Sequence, residues 1–227
     1  MKNTGVKAGV ILLIAGLLVG GAEPRAEDQR VRLKGGAEFT AKQLQKIRGS
    51  VLVEIDRAEV ETVNGKPLPK PVVAGTPAPV FSAVDLTGNS LTVPIPKSPT
   101  LIQFWASWCP YCRKDMELMR SVQDEFAPKG LKIISISIDS ELEKLTAFLK
   151  DNPLAYPVIA LQTQGDRAAS ITEMYEMQGV PSYFLVDAKG VIAQTASGSM
   201  TARPEQMVEL KKALAGVVNA AGSTAAH

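Results

Sequence analysis

The chain has 227 residues, 45% of them hydrophobic, with 25 basic and 23 acidic side chains and a formal net charge of +2. That length fits one ordinary domain with appendages, and the apolar fraction is enough for a sizeable core. Charge this close to balance, with the basic residues scattered, excludes the electrostatic footprint of a nucleic-acid-binding protein.

The N-terminus carries an export pattern. Lys2 and Lys7 precede an apolar run at 10–19, which is followed by Gly20-Gly21-Ala22. A basic start, a short apolar stretch and small residues for cleavage after Ala22 read as a secretory signal over 1–22. The run falls short of the roughly 20 apolar residues a spanning helix needs, and an uncleaved anchor over 8–22 is the alternative. No cysteine follows the run, which argues against a lipid anchor. The expected location is periplasmic or otherwise extracytoplasmic, soluble after cleavage or anchored.

Residues 23–75 read as an extension. Its first ten residues are charged and loose. Thr40, Leu44 and Ile47 predict a short helix over 39–48, as a cap followed by an apolar stripe. Residues 51–55 alternate as a strand would, and Asn64-Gly65 is a turn signal. Five prolines (67, 69, 71, 77 and 79) predict an extended linker over 66–79. Such an extension serves as a partner-binding or dimerising segment, or as a spacer.

The main domain is expected over 76–218, with a flexible tail at 219–227. Residues 80–86 and 90–93 flank Thr87-Gly88-Asn89 as a hairpin would. The apolar run 101–105 suits a buried central strand. Met116, Met119, Val122 and Phe126 follow at helical spacing, and Lys129-Gly130 stops that helix. Residues 131–138, rich in isoleucine, predict the next strand. Leu142, Leu145, Phe148 and Leu149 mark an amphipathic helix, 156–160 a short strand, and Ile171, Met174 and Tyr175 another helix. Two further strands, 182–186 and 191–195, surround the turn Asp187-Ala188-Lys189-Gly190, and a helix over 204–218 closes the domain. Strand–helix–strand order followed by a hairpin predicts an α/β fold around a mixed sheet.

Both cysteines of the chain lie in Phe104-Trp105-Ala106-Ser107-Trp108-Cys109-Pro110-Tyr111-Cys112. Two intervening residues let a disulfide form and break across one helical turn. With a strand ending at Trp105 and Pro110 in the first helical turn, Cys109 falls at a helix N-terminus. There, free backbone N–H groups and the helix dipole stabilise a thiolate, the reactive form of the side chain. A structural zinc site needs about four ligands, and beyond the cysteines only His227 remains. A four-residue disulfide loop gains little as a staple. The pair therefore reads as redox-active, with no metal and no organic cofactor required.

From Trp105 to Asp115 the chain resembles the thioredoxin superfamily, most closely its TlpA/ResA-like branch of exported thiol–disulfide oxidoreductases. Pro77-Ala78-Pro79-Val80-Phe81, the segment Gly179-Val180-Pro181-Ser182-Tyr183-Phe184-Leu185-Val186-Asp187 and the Lys189-Gly190 turn extend the likeness over 76–218. The resemblance implies a thioredoxin-like fold and catalytic residues Cys109 and Cys112, forming the redox-active disulfide. It implies a cis proline at Pro181 and a partner groove made with Val180, Trp108, Pro110 and Tyr111. Asp115 stands where the branch commonly has Glu and is a candidate proton acceptor; the other reading is a solvated helix residue. Gln103 replaces the buried Asp of thioredoxin, and Met116-Glu117 lack the proline usual after the acidic position. Trp105 is assigned to the core.

The expected activity is protein-disulfide oxidoreduction with exported client thiols or disulfides, more in the reducing than the oxidising direction, fed by a membrane electron-donor protein. Cys-Pro-Tyr-Cys is also a glutaredoxin pattern, but the remaining motifs are not. The alternatives are a disulfide-donating oxidase and a Cu(I) chaperone using the same two thiolates. A peroxidase wants Thr where Ala106 stands.

Overall fold

The computed structural model describes residues 30–33, 38–40, 60–63, 66–67, 72–177 and 179–224. The signal or anchor, the predicted strand at 51–55, the Asn64-Gly65 turn and His227 lie outside them. The chain divides into two units, residues 1–70 and 71–227.

In the first unit, β1 (Arg30–Leu33), β2 (Glu38–Thr40), β3 (Val60–Val63) and β4 (Lys66–Pro67) form an antiparallel sheet in the order β2-β1-β3-β4. Phe39 and Thr40, expected to open a helix, instead pair with Val31 and Arg30. Pairing with β1 overrides the local cap pattern. The remainder of that predicted helix, 41–48, lies outside the described residues. Lys66 and Pro67 belong to strand β4, paired with Val63 and Thr62, rather than to a linker.

The second unit is built around a five-stranded sheet. It comprises β7 (Thr100–Trp105), β8 (Lys132–Ser137), β9 (Val158–Ala160), β10 (Ser182–Val186) and β11 (Ile192–Ser197), ordered β11-β10-β7-β8-β9. β7, β8 and β9 run parallel, while β10 pairs antiparallel with both β7 and β11, giving the mixed sheet expected. Every residue of β7 is buried, because the strand is covered on both faces and therefore reads as a continuous apolar run.

Alternation along β7 divides the core. Ile102 and Phe104 face Phe81, Tyr175, Phe184 and Ile171 on one side of the sheet. That side holds the hairpin β5 (Phe81–Val84) and β6 (Ser90–Val93), and helix α3 (Arg167–Met174). Leu101 faces Met119, Val122, Phe126, Leu210 and Leu214 on the other. These come from α1 (Pro110–Phe126) and α4 (Pro204–Thr224). Helix α2 (Leu142–Asp151) sends Leu145 into a third cluster with Trp105 and the two cysteines.

Two chain ends refine the sequence expectation. Val72 is already in the core, the Gly75 N–H donates to the Ile192 carbonyl and the Ala78 N–H to that of Gly190. This part of the proline-rich stretch therefore belongs to the second unit. Helix α1 gives way after Phe126 to a single 3₁₀ turn, Ala127–Lys129, and Gly130 closes it at φ 96°. Only glycine takes that left-handed cap at low cost.

Leu101 is wholly buried between the sheet and α1 and α4. Leu101→Ala is expected to lower unfolding stability by about 3 kcal/mol, as large-to-small changes in tight cores do. Urea unfolding followed by circular dichroism checks this.

Candidate active site

Strand β7 ends at Trp105, and four residues later Cys109 caps helix α1. Cys109 has extended backbone (φ −80°, ψ 114°), and its sulfur accepts the Cys112 N–H at 3.3 Å. Pro110 occupies the first turn, where its missing N–H leaves no bond unmade. The helix then places Cys112 one turn inward with no exposure, against 4% for Cys109. The two thiols are free. Burial, then the hydrogen bond and charge of Cys109, and finally the charge of Asp115, push the Cys112 thiol well above its ordinary range. Cys112 is thus held as a neutral thiol behind Cys109, an unequal pair suited to one attacking and one resolving sulfur.

The loop before Cys109 is pinned from beneath. Asp139, buried just past the end of β8, accepts the Ser107 N–H at 2.9 Å and the Ser107 hydroxyl at 2.5 Å. The Ser137 hydroxyl donates to the same carboxylate at 2.7 Å, and the Ile138 N–H donates to the Trp105 carbonyl at 2.9 Å. The register of β7 and β8 brings these groups together, since Trp105 lies opposite Ser137. Asp139 follows the isoleucine-rich strand directly. Its place at the carboxyl end of a parallel strand, where α/β sheets build their sites, was the signal available for it.

Asp115 is also fully buried. Its Oδ1 accepts the Ser199 hydroxyl at 2.8 Å, the Thr201 N–H at 2.9 Å and the Thr201 hydroxyl at 2.6 Å. Its Oδ2 accepts the Tyr183 hydroxyl at 2.8 Å and the Met200 N–H at 2.9 Å. Burial alone would raise its pKa, but the bonds from Thr201, Ser199 and Tyr183 outweigh it and hold the carboxyl below its ordinary value. With both oxygens occupied and ionisation favoured, this geometry suits a fixed anion and disfavours the expected proton acceptor. It equally departs from the alternative of a solvated helix residue. The cage was illegible because its donors lie 68 to 86 residues away. Gln103 is buried on β7 and lies opposite Tyr183 in the pairing with β10.

Above the dithiol the surface is aromatic. Trp108 is 61% exposed and Tyr111 56%, whereas Trp105 is buried at 1%. Lys114 Nζ lies 5.8 Å from the Tyr111 ring centroid, and the Arg113 guanidinium lies 4.8 Å from that of Phe148, which packs on Trp105. The Val180–Pro181 peptide bond is cis. The Cys109 Sγ sits 3.8 Å from the Val180 carbonyl oxygen, so the two segments expected to form a partner groove adjoin one another. Helix α1 runs unbroken past Met116-Glu117 to Phe126.

A mixed sheet with a two-cysteine helix start beside a Val-Pro segment defines a thioredoxin-like protein. The Redoxin family matches residues 73–214, and the chain belongs to it. Sporulation thiol-disulfide oxidoreductase A of Bacillus subtilis (strain 168) is 29% identical over 133 residues, covering 57% of this chain and 76% of that protein. Thiol-disulfide oxidoreductase ResA of Bacillus thuringiensis subsp. konkukian (strain 97-27) is 30% identical over 139 residues, covering 61% and 76%. Among solved structures, a putative thiol:disulfide interchange protein DsbE from Chlorobium tepidum superposes with a TM-score of 0.54 at 25% identity, covering 62% of this chain and 97% of that one. The chain is accordingly a thioredoxin-like thiol–disulfide oxidoreductase of the ResA kind.

The depressed Asp115 pKa makes stability pH-dependent. The stabilisation is complete above 3.8, the ordinary value for the unfolded chain, and is lost as pH falls from there through the lower folded value. Asp115→Asn is expected to lower stability at neutral pH and to flatten this acid-dependent part. Urea unfolding at a series of pH values measures both effects.

Proposed function

We propose that Cys109 and Cys112 are the redox pair of this oxidoreductase and exchange disulfides with exported client proteins, working as a reductant. The observation that carries this reading is the unequal placement of the thiols. One sulfur caps a helix beside exposed aromatic rings, and the other is fully buried a turn behind it.

In the reducing direction, the Cys109 thiolate attacks one sulfur of a client disulfide. A Cys109–client bond forms, and the other client sulfur leaves with the electron pair and takes a proton. Cys112 then gives up its proton and attacks the Cys109 sulfur. That step releases the second client thiol and leaves the Cys109–Cys112 disulfide. The client has gained two electrons. They are restored by a reduced membrane electron-donor protein, which is the second partner of this proposal.

The reducing direction follows the resemblance to the TlpA/ResA-like branch, which leans towards reduction of exported clients. The signal pattern at 1–22 supports an extracytoplasmic location, and residues 23–70 are read as the extension between that pattern and the domain.

Cys109→Ser is expected to abolish disulfide exchange, while Cys112→Ser traps Cys109–client mixed disulfides on non-reducing gels. Full activity in Cys109→Ser would overturn the assignment. The pair is expected to titrate near the thioredoxin level, about −270 mV; a value near −120 mV would reverse the direction. Iodoacetamide at neutral pH is expected to alkylate Cys109 and spare Cys112, as read by peptide mass spectrometry.

A further inference from the structure

Two paths of hydrogen bonds leave Asp115 and reach the same segment. Along the first, Ser199, Met200 and Thr201, in the loop between β11 and α4, hold that loop on helix α1 through the carboxylate. Gly198, the residue before them, donates its N–H to the Pro181 carbonyl at 2.8 Å. Along the second, Tyr183 on β10, two residues after Pro181, donates to Asp115 Oδ2 at 2.8 Å. The backbone from Val180 to Tyr183 is thereby tied from two sides to the helix that begins beside Cys109. Its near end, the Val180 carbonyl, lies 3.8 Å from the Cys109 sulfur.

The joint is closed from outside as well. Gly198 has φ +82°, and a Cβ there would meet the Arg203 guanidinium at 3.4 Å. Arg203 Nη1 in turn donates to the Ser197 carbonyl at 3.0 Å.

We infer that Asp115 is a positioning residue for client recognition: through the 198–201 loop and Tyr183 it sets the Val180-Pro181 backbone at a fixed distance from the Cys109 sulfur. This rests on the dithiol role proposed above and deepens it, because the task of the anion becomes geometric. A client chain has to lay its backbone along Val180 while its own sulfur meets Cys109. Both contacts form together only when their separation is held. A small disulfide needs the sulfur alone.

The test uses two substrates, an extended fluorescent peptide disulfide and 5,5′-dithiobis(2-nitrobenzoate), over a pH series. Thr201→Val and Ser199→Ala each remove one hydroxyl from the cage and keep the carboxylate. Each is expected to raise KM for the peptide about fivefold, the loss of one hydrogen bond's worth of positioning, with kcat held. The reaction with the small disulfide and the shape of both pH profiles should not change. Asp115→Asn, folded by circular dichroism, should raise the peptide KM more strongly; because it also removes a charge that bears on Cys112, only its peptide KM is read.

An unchanged peptide KM in Thr201→Val overturns the inference, as does an equal rate loss with both substrates. A Cys109→Ser control separates the two levels. Activity surviving there removes the dithiol reading and this inference with it, whereas an unchanged KM removes the inference alone.

Discussion

An ionised carboxylate in a protein interior is costly unless its lone pairs are met. Asp115 meets that condition with five donors drawn from Tyr183, Ser199, Met200 and Thr201. These residues come from β10 and from the loop that leads into α4, while Asp115 itself sits on α1. The bonds cross the apolar packing of Met119, Val122, Leu210 and Leu214 and give it direction. Apolar contact brings α1 and α4 onto the sheet but tolerates sliding. Directional bonds to a buried charge do not, because each lost partner leaves an unsatisfied group. The site above Cys112 inherits its rigidity from this arrangement.

A second buried carboxyl group, that of Asp139, anchors the approach to the dithiol. It fastens the Ser107 backbone and hydroxyl, two residues before Cys109, to the end of β8. The reactive loop thus hangs between two buried carboxyl groups, one beneath its approach and one beneath the helix it enters. Among the described residues, neither has an Arg or Lys as a hydrogen-bond partner; hydroxyls and backbone N–H groups fill that role. Neutral donors fix position without adding a cation beside the sulfur.

Much of the fold was legible because β7 and β8 are buried on both faces and α1 on one, so their apolar periods survive in the sequence. The dithiol was legible because its spacing is local and its strand-then-proline context is written in adjacent residues. What stayed hidden was long-range. Phe39 and Thr40 carry a helix-like cap pattern, yet pairing with strand β1 decides their conformation. Tyr183 reads as an ordinary strand aromatic and Ser199 and Thr201 as loop polars. Nothing within several residues reveals that all three converge on Asp115. Asp139 lay between these extremes, placed by a general rule about strand ends but not by any motif.

Trp108 and Tyr111 stand largely in water, whereas the other tryptophan, Trp105, is wrapped by Phe148, Leu145 and the cysteines. Any chain that covers the two outer rings releases the water ordered around them. Association of that kind carries a negative heat capacity change and loses its driving force on cooling. Encounter with a protein partner is therefore more sensitive to cold than the sulfur chemistry beneath it, which depends on bonds already in place.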